Sequence, residues 1–492
     1  MNEKNLNNKI INATKWSSIT EIFSKLVSPI TSIVLARIIA PEAFGVVATV
    51  TMIISFANMF TDSGFQKYLV QHEFKNEEER NKYAVVAFWT NLFLSLLLWG
   101  VIFLYSEEIA ILVGNPGMGI VLAVAGIQLP LTSFSSIQLA LYRRDFDFKT
   151  LFKVRIALSF IPFFITIPLA LIGFNYWALI IGTLSGQLVN AIVLTLKSKW
   201  KPSFYFNIKI LKKMFSFSVW SLIEAISIWL TAWADTFIIG KVLNQYYLGI
   251  YKNSTTLVNT LMNIITSSTV PVLFSALSRL QEDDNKFNNL FFKFQRLVSM
   301  LVFPLGIGVY LYSDLVTGIL LGSQWREASG VIGIWALTSS IQIVFAHFCS
   351  EVYRAKGKPR LSFLAQMLHL VVLVPACIIS SKYGFWALVY TRSLIRLQGV
   401  LVHFIIMKYK LGFPIFKTFI NVLPTGISAV VMGLMGYFLQ KFNEGIIWDL
   451  ISILLCIILY FGMLCIFPNT RKEFISLIMK LSPKISLLKK QS

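Results

Sequence analysis

The sequence predicts an all-α, polytopic membrane protein with about fourteen transmembrane helices, arranged as two six-helix lobes followed by a C-terminal helix pair. Three observations predict this. First, 56% of the 492 residues are hydrophobic and only 14% are charged, with a mean hydropathy of +0.69. Soluble domains carry about 25% charged residues, so most of this surface faces something other than water. Second, the apolar residues are gathered into runs such as 83–105 and 446–467 that are hydrophobic nearly all round. Each is long enough to cross a hydrocarbon core, which takes roughly 20 residues. Third, the basic residues lie between these runs in an order that reports sidedness.

In order along the chain, the runs fall at 16–39, 43–65, 83–105, 117–141, 151–173, 175–196 and 214–240. They continue at 247–275, 291–313, 327–354, 360–382, 384–408, 416–439 and 447–467. Breakers stand at the joints: Pro41, Asn115-Pro116-Gly117, Gly173, Pro359 and Pro414. Seven prolines (Pro29, Pro162, Pro168, Pro271, Pro304, Pro375 and Pro424) fall inside spans, where neighbouring helices can satisfy the freed carbonyls. Lys4, Lys9 and Lys15 precede the first run and no small-residue cleavage site follows it, so the first run reads as an uncleaved helix.

An even number of spans puts both termini on one side, and charge chooses the side. In the N-in arrangement, Arg37, Lys241, Arg326, Lys382 and Lys441 are the basic residues of the outer loops. Lys25, Lys252, Arg392 and Arg396 are counted within spans, and the other 35 of the 44 Lys and Arg residues, some of them in the end turns of spans, are on the cytoplasmic side. This is a strong positive-inside bias, and a missed span would reverse every later loop and destroy it. Both termini are expected in the cytoplasm of a bacterial inner membrane.

An internal repeat organises the spans. Trp16-Ser17 returns as Trp220-Ser221, and at the same offset Ala36-Arg37 with Gly45 returns as Gly240-Lys241 with Gly249. Tyr142-Arg143 is echoed by Tyr353-Arg354, and Gly173-Phe174-Asn175-Tyr176-Trp177-Ala178-Leu179 by Gly384-Phe385-Trp386-Ala387-Leu388. The repeated unit is six helices, so both copies share one orientation, as in transporters whose lobes are related by an axis along the membrane normal. The expected divisions are a lobe over 1–200, a second over 201–410, and two further helices with a basic cytoplasmic tail over 411–492.

Several function classes are excluded. The net charge of +21 does not mark a nucleic-acid binder, because the basic residues never form one stripe. Cys349, Cys377, Cys456 and Cys465 show no CxxC spacing and read as buried thiols. His72, His347, His369 and His403 are scattered, and no Walker A sequence occurs. No catalytic constellation, metal site or cofactor is expected.

Five segments carry a family resemblance: LARIIAPEAFGVVATVTMIISFANMFTDSGF (35–65), YRRDFDFKTLFKVR (142–155), GFNYWALIIG (173–182), PVLFSALSRLQ (271–281) and LGSQW (321–325). Collinear over nearly the whole chain, they resemble the polysaccharide-transporter family of the multidrug/oligosaccharidyl-lipid/polysaccharide (MOP) exporters. The resemblance implies a V-shaped, MATE-like cavity between two six-helix lobes. It also implies a cargo, an undecaprenyl-pyrophosphate-linked oligosaccharide moved to the outer leaflet for capsule, O-antigen, exopolysaccharide or teichuronic acid synthesis. Membrane lipids, a polysaccharide polymerase and glycosyltransferases are the implied partners.

Ionisable groups inside spans are costly and usually face a cavity or one another. Lys25 lies about nine residues into the first run, or ~14 Å along a helix, near the midplane. Arg392 and Arg396 are one turn apart on one face, and Lys252 enters its span from the outer side. These four cations suit a pyrophosphate crossing without its water; arginine offers bidentate contact and lysine a point charge. The competing readings are a local ion pair of Glu21 with Lys25, and Lys252 snorkelling to the interface. Glu21, Asp62, Glu224 and Asp235 are candidates for coupling to H⁺ or Na⁺, or for salt bridges to the four cations. A MATE-type exporter of cationic drugs would carry acids without excess cations. A lipid II flippase has the same topology, and a membrane scaffold would need larger loops than these.

Overall fold

In a computed structural model of the chain, the backbone is described for residues 3–61 and 64–481. Side chains are described for 15–17, 19, 20, 23, 24, 27–61, 64–215, 222, 225–267 and 269–476. The helices run α1 (Glu3–Ile38), α2 (Pro41–Thr61), α3 (Phe65–Gln71), α4 (Glu77–Leu104), α5 (Ser106–Leu112), α6 (Gly119–Ala125), α7 (Gln128–Arg144), α8 (Phe148–Ile161), α9 (Ile167–Leu171), α10 (Tyr176–Lys197), α11 (Ile208–Val242) and α12 (Gln245–Ser278). Then follow α13 (Asp284–Leu311), α14 (Ser313–Leu320), α15 (Ala328–Gln342), α16 (Cys349–Ala355), α17 (Arg360–Ser381), α18 (Phe385–Leu411), α19 (Ile415–Leu439), α20 (Ile446–Ile466) and α21 (Pro468–Leu481). Single π turns at Pro162–Thr166 and Ile343–His347 join α8 to α9 and α15 to α16. The first begins at a proline, which has no N–H to give the helical ladder.

Among the described residues, twelve helical segments are long and apolar enough to cross a membrane. The protein is therefore an all-helical, polytopic membrane protein. Two other expected spans fall on α1, where Val27–Ile38 is the described apolar part, and on α18, whose middle carries Arg392 and Arg396. The surface is inverted relative to a soluble protein. Phe164, Leu196 and Val371 are among many large apolar side chains left largely exposed, whereas Thr236, Ser254, Gln295, Ser299 and Thr425 are fully buried. Hydrocarbon gives no partner to a polar group, so polar side chains turn inward and bond one another.

The helix ends facing the expected cytoplasm are capped by side chains. Asn76 accepts from the backbone N–H of Glu79 at 2.8 Å to start α4, and Asn207 accepts from Lys209 and Ile210 to start α11. Asp283 starts α13 by accepting from the N–H of Lys286 at 3.0 Å. That N–H, with the Lys286 ammonium 3.0 Å away, holds the Asp283 carboxyl below its ordinary pKa.

Two compact units divide the chain, Met1–Lys252 and Asn253–Ser492. In the first, α1 packs on α8, α4 on α7, α7 on α10, and α11 on α2, α3 and α4. In the second, α13 lies between α15 and α19, α18 packs on α15 and α17, and α20 on α19. There the hydroxyls of Ser299 and Thr425 meet at 2.8 Å, and Tyr460 donates to the Met300 carbonyl at 2.9 Å. Arg296 grips Glu473 with two bonds of 2.8 and 2.6 Å and donates to Asn421, which fixes α21 to α13 and α19.

The repeat seen in the sequence is also a repeat of backbone detail. Asp147 N–H bonds back to the Tyr142 carbonyl at 2.9 Å, and Lys358 N–H to the Tyr353 carbonyl at 2.8 Å. The residue between, Phe146 in one copy and Gly357 in the other, is left-handed with φ of 60° and 67°. Gly173 and Gly384, which precede α10 and α18, have φ of 95° and 97°. Sequence echoes that were each weak alone therefore stand at matching turns.

Within the first unit, the two copies of the first turn touch each other directly. A Cβ on Gly45 of α2 would fall on the Gln245 carbonyl, and one on Gly249 of α12 would fall on the Pro41 carbonyl. Gly45 and Gly249 occupy equivalent places in the repeat, and so do Pro41 and Gln245. The contact is thus reciprocal, as a two-fold interface is. Gly114, at φ +82°, closes on the Gly240 carbonyl beside it. Small residues let backbones approach this closely inside a membrane.

Gly45→Ala and Gly249→Ala must each push two backbones apart, an overpacking cost of about 1–3 kcal/mol. Thermal unfolding in detergent should report a lowered Tm for both. Gly100→Ala, which meets nothing within 4 Å on α4, should hold or raise it.

Candidate functional site

The second unit gathers a cationic site around one tryptophan. On α15, Trp335, Ser339 and Gln342 lie at helical spacing along one face. On α18, Arg392 and Arg396 lie one turn apart and face it. Arg396 Nε donates to Gln342 Oε1 at 2.8 Å, and its Nη1 donates to Ser339 Oγ at 2.8 Å. Its guanidinium carbon sits 4.0 Å from the centre of the Trp335 ring, and that of Arg392 lies 5.3 Å from the same ring. Trp335 is held in turn by Asn259 Oδ1, which accepts from the indole Nε1 at 3.2 Å.

Both arginines are buried, at 8% and 9% exposure, so their heads do not reach bulk solvent. A ring face under a desolvated guanidinium contributes up to about 2 kcal/mol. The arrangement packs two guanidiniums, one turn apart on α18, against a single indole face. Beside it, His369 Nδ1 meets Gln398 Oε1 at 2.9 Å and His403 Nδ1 meets the Tyr353 hydroxyl at 3.0 Å. These contacts tie α17 and α16 to α18.

The first unit places Lys252 and Asp235 in one neighbourhood. Lys252 Nζ stands 3.6 Å from the centre of the Trp233 ring. Asp235, 4% exposed, accepts from the Tyr251 hydroxyl at 2.7 Å and from the backbone N–H of Thr236 at 2.7 Å. Asp62 and the side chains of Glu21, Lys25 and Glu224 lie outside the described residues.

Glu351 and Arg354 form an ion pair, 2.9 Å apart, with Glu351 buried. Cys349, Cys377 and Cys456 are buried free thiols, and Cys465 is partly buried. What the sequence reading missed is the neutral half of the arginine site: Asn259, Trp335, Ser339 and Gln342. One signal was available, the spacing of Trp335, Ser339 and Gln342 along one face of an apolar span.

A family model described as "Polysaccharide biosynthesis protein" matches residues 34–330, more than half of the chain. The chain belongs to this family. It is 24% identical over 326 residues to the succinoglycan biosynthesis transport protein ExoT of Rhizobium meliloti, covering 66% of this chain and 65% of the other. It is 21% identical over 416 residues to the lipopolysaccharide biosynthesis protein WzxC of Escherichia coli, covering 83% and 82%. The solved structure of the lipid II flippase MurJ, in an inward closed conformation, matches at a TM-score of 0.75 and 17% identity, over 92% of this chain and 98% of that one. An inward-facing multidrug-resistance MATE transporter of the MOP superfamily matches at 0.63 and 14%, over 81% and 98%. These likenesses give the fold, which is that of MurJ and MATE transporters. The family the motifs resembled is the family found. Its members are transporters and not enzymes, and this chain is a membrane transporter of polysaccharide biosynthesis, of the flippase kind.

Trp335→Leu removes the ring beneath both arginines and should lower surface polysaccharide at least about tenfold, since both guanidiniums lose the face they are packed on. Trp335→Phe, which keeps a ring face, should retain most of it. Quantifying cell-surface glycan at equal membrane abundance of each variant checks this.

Proposed function

We propose that this transporter flips an undecaprenyl-pyrophosphate-linked oligosaccharide repeat unit from the cytoplasmic to the outer leaflet of a bacterial inner membrane. The observation that carries the reading is the buried Arg392–Arg396 pair laid on Trp335. Moving a pyrophosphate through hydrocarbon requires fixed charge to replace its water, and two guanidiniums held by packing supply it. Lys252 and Lys25 are the further cations assigned to the cargo. Glu21, Asp62, Glu224 and Asp235 are the acids assigned to coupling with H⁺ or Na⁺.

The transport cycle is alternating access in a V-shaped pair of six-helix lobes, residues 1–200 and 201–410, with the helix pair of 411–492 outside the duplication. Fourteen spans, with both termini in the cytoplasm, follow from the charge bias between successive segments. A polymerase and glycosyltransferases would act on the delivered and donated glycan. The likeness to MurJ keeps a lipid II flippase as the second reading, since that cargo carries the same pyrophosphate anchor.

The double variant Arg392→Ala/Arg396→Ala should insert normally, cut surface glycan at least about tenfold and accumulate lipid-linked repeat units inside the cell. Export at the unmodified level would remove the pair from the cargo site. Lysine at both positions should recover only part, because the fork geometry is lost. If lipid II is the cargo, the gene should instead rescue cells depleted of their own lipid II flippase.

Topology has its own check. A phosphatase reporter that works only outside the cytoplasm should be active when fused after Lys441 and inactive when fused after Ser492. The reverse pattern overturns the orientation.

A further inference from the structure

We propose that the linker between α10 and α11 is an interfacial anchor that binds the anionic phospholipids of the cytoplasmic leaflet. Phe204 and Phe206 enter the acyl chains next to the headgroups, and Lys199, Lys209 and Lys212 lie on the headgroups themselves. Which leaflet is bound follows from the orientation proposed above; the contact with lipid does not depend on it.

Residues 197–213 carry six lysines and no acid. Lys199, Lys209 and Lys212 are exposed, and among the described residues none of the three forms an ion pair. A bias of basic residues toward the cytoplasm accounts for lysines in such a segment, but not for the four rings set among them, Trp200, Phe204, Tyr205 and Phe206.

The fold sorts these rings into two sets. Trp200 turns inward, 9% exposed and edge-on to Phe88 with centroids 5.8 Å apart. Tyr205 packs against the same core, and Asn207 donates to its hydroxyl at 3.3 Å. Phe204 and Phe206 turn outward, 96% and 58% exposed. Trp89 of α4 holds them there: its Nε1 donates to the Ser203 carbonyl at 2.8 Å, and its ring stacks on Phe204 with centroids 5.4 Å apart. The outward rings are therefore presented by a pinned backbone.

Depth identifies what covers them. Lys82 is the last charged residue of α4, and Trp89 comes seven residues later, ~10 Å along the helix. The headgroup layer is roughly 5–7 Å thick on each side, so Trp89 and Phe204 lie where it meets hydrocarbon, the level that tryptophan favours. Beyond Trp89 on α4, Phe93, Leu96 and Leu97 are exposed, and Phe204 continues this lipid-facing surface. The backbone of 199–206 is in no helix or strand, so its polar groups need the wet headgroup layer. That leaves the rings below it and the lysines, on long flexible stems, among the phosphates. Lysine clusters at this level bind anionic lipid.

The test uses the full-length protein in nanodiscs of phosphatidylcholine alone, or with phosphatidylglycerol as one lipid in three. Both leaflets of a nanodisc have the same composition, so the result is independent of sidedness, which the reporter fusions decide separately. Hydrogen exchange at the amides of 199–206 should slow at least about threefold when phosphatidylglycerol is present, and high salt should erase the difference. Lys199→Gln/Lys209→Gln/Lys212→Gln should also erase it while leaving exchange in pure phosphatidylcholine unchanged. Phe204→Ser/Phe206→Ser should speed exchange in both compositions without lowering the Tm, because neither ring is in the core. Equal exchange of the unmodified protein in the two compositions overturns the anionic-lipid site. So does a triple-lysine variant that still responds to phosphatidylglycerol. A serine variant that exchanges like the unmodified protein overturns the insertion of the rings.

Discussion

Gly45 and Gly249 set how closely the two copies of the first repeated turn approach, and much of the first unit is arranged around that distance. Each glycine lies against the backbone of the residue that begins the other copy's helix, Gln245 for Gly45 and Pro41 for Gly249. No side chain intervenes, so the spacing is fixed by peptide groups and cannot relax by a change of rotamer. The reciprocity follows from duplication: a contact made by one copy on its twin must be returned. Gly114 against Gly240 extends the seam by one more close approach. Both α2 and α12 begin at this seam.

A second constraint is the solvent. Outward positions are satisfied by any large apolar residue, which is why Phe164, Leu196 and Val371 need no partner. Inward positions are where hydrogen bonding is compulsory, and the chain answers with small hydroxyls between helices, as at Ser299 and Thr425. Against this background a buried arginine is expensive unless its surroundings are built for it. Arg396 has two neutral acceptors and a ring face; Arg392 shares the ring. Retaining two such charges one turn apart also costs mutual repulsion.

How far the sequence could be read depended on whether a feature was local. Span positions follow from run length alone, so the helices fall where the apolar segments do. The helix-ending turns after Tyr142 and Tyr353 were legible because a short motif determines them. Arg392 and Arg396 stood out because charge is rare in a span. Trp335 did not, since an aromatic on an apolar helix looks the same whether it faces lipid or carries two guanidiniums. Asn91 and Ser136 are harder still: each is one polar residue in a long span, and they meet only because α4 and α7 pack together. No property of either segment announces that pairing.

This difference in legibility has a chemical cause. Recognition of an anionic group calls for charge, the signal easiest to see in an apolar chain. The sugars vary from one polysaccharide to another, and hydroxyls are recognised by neutral donors and acceptors.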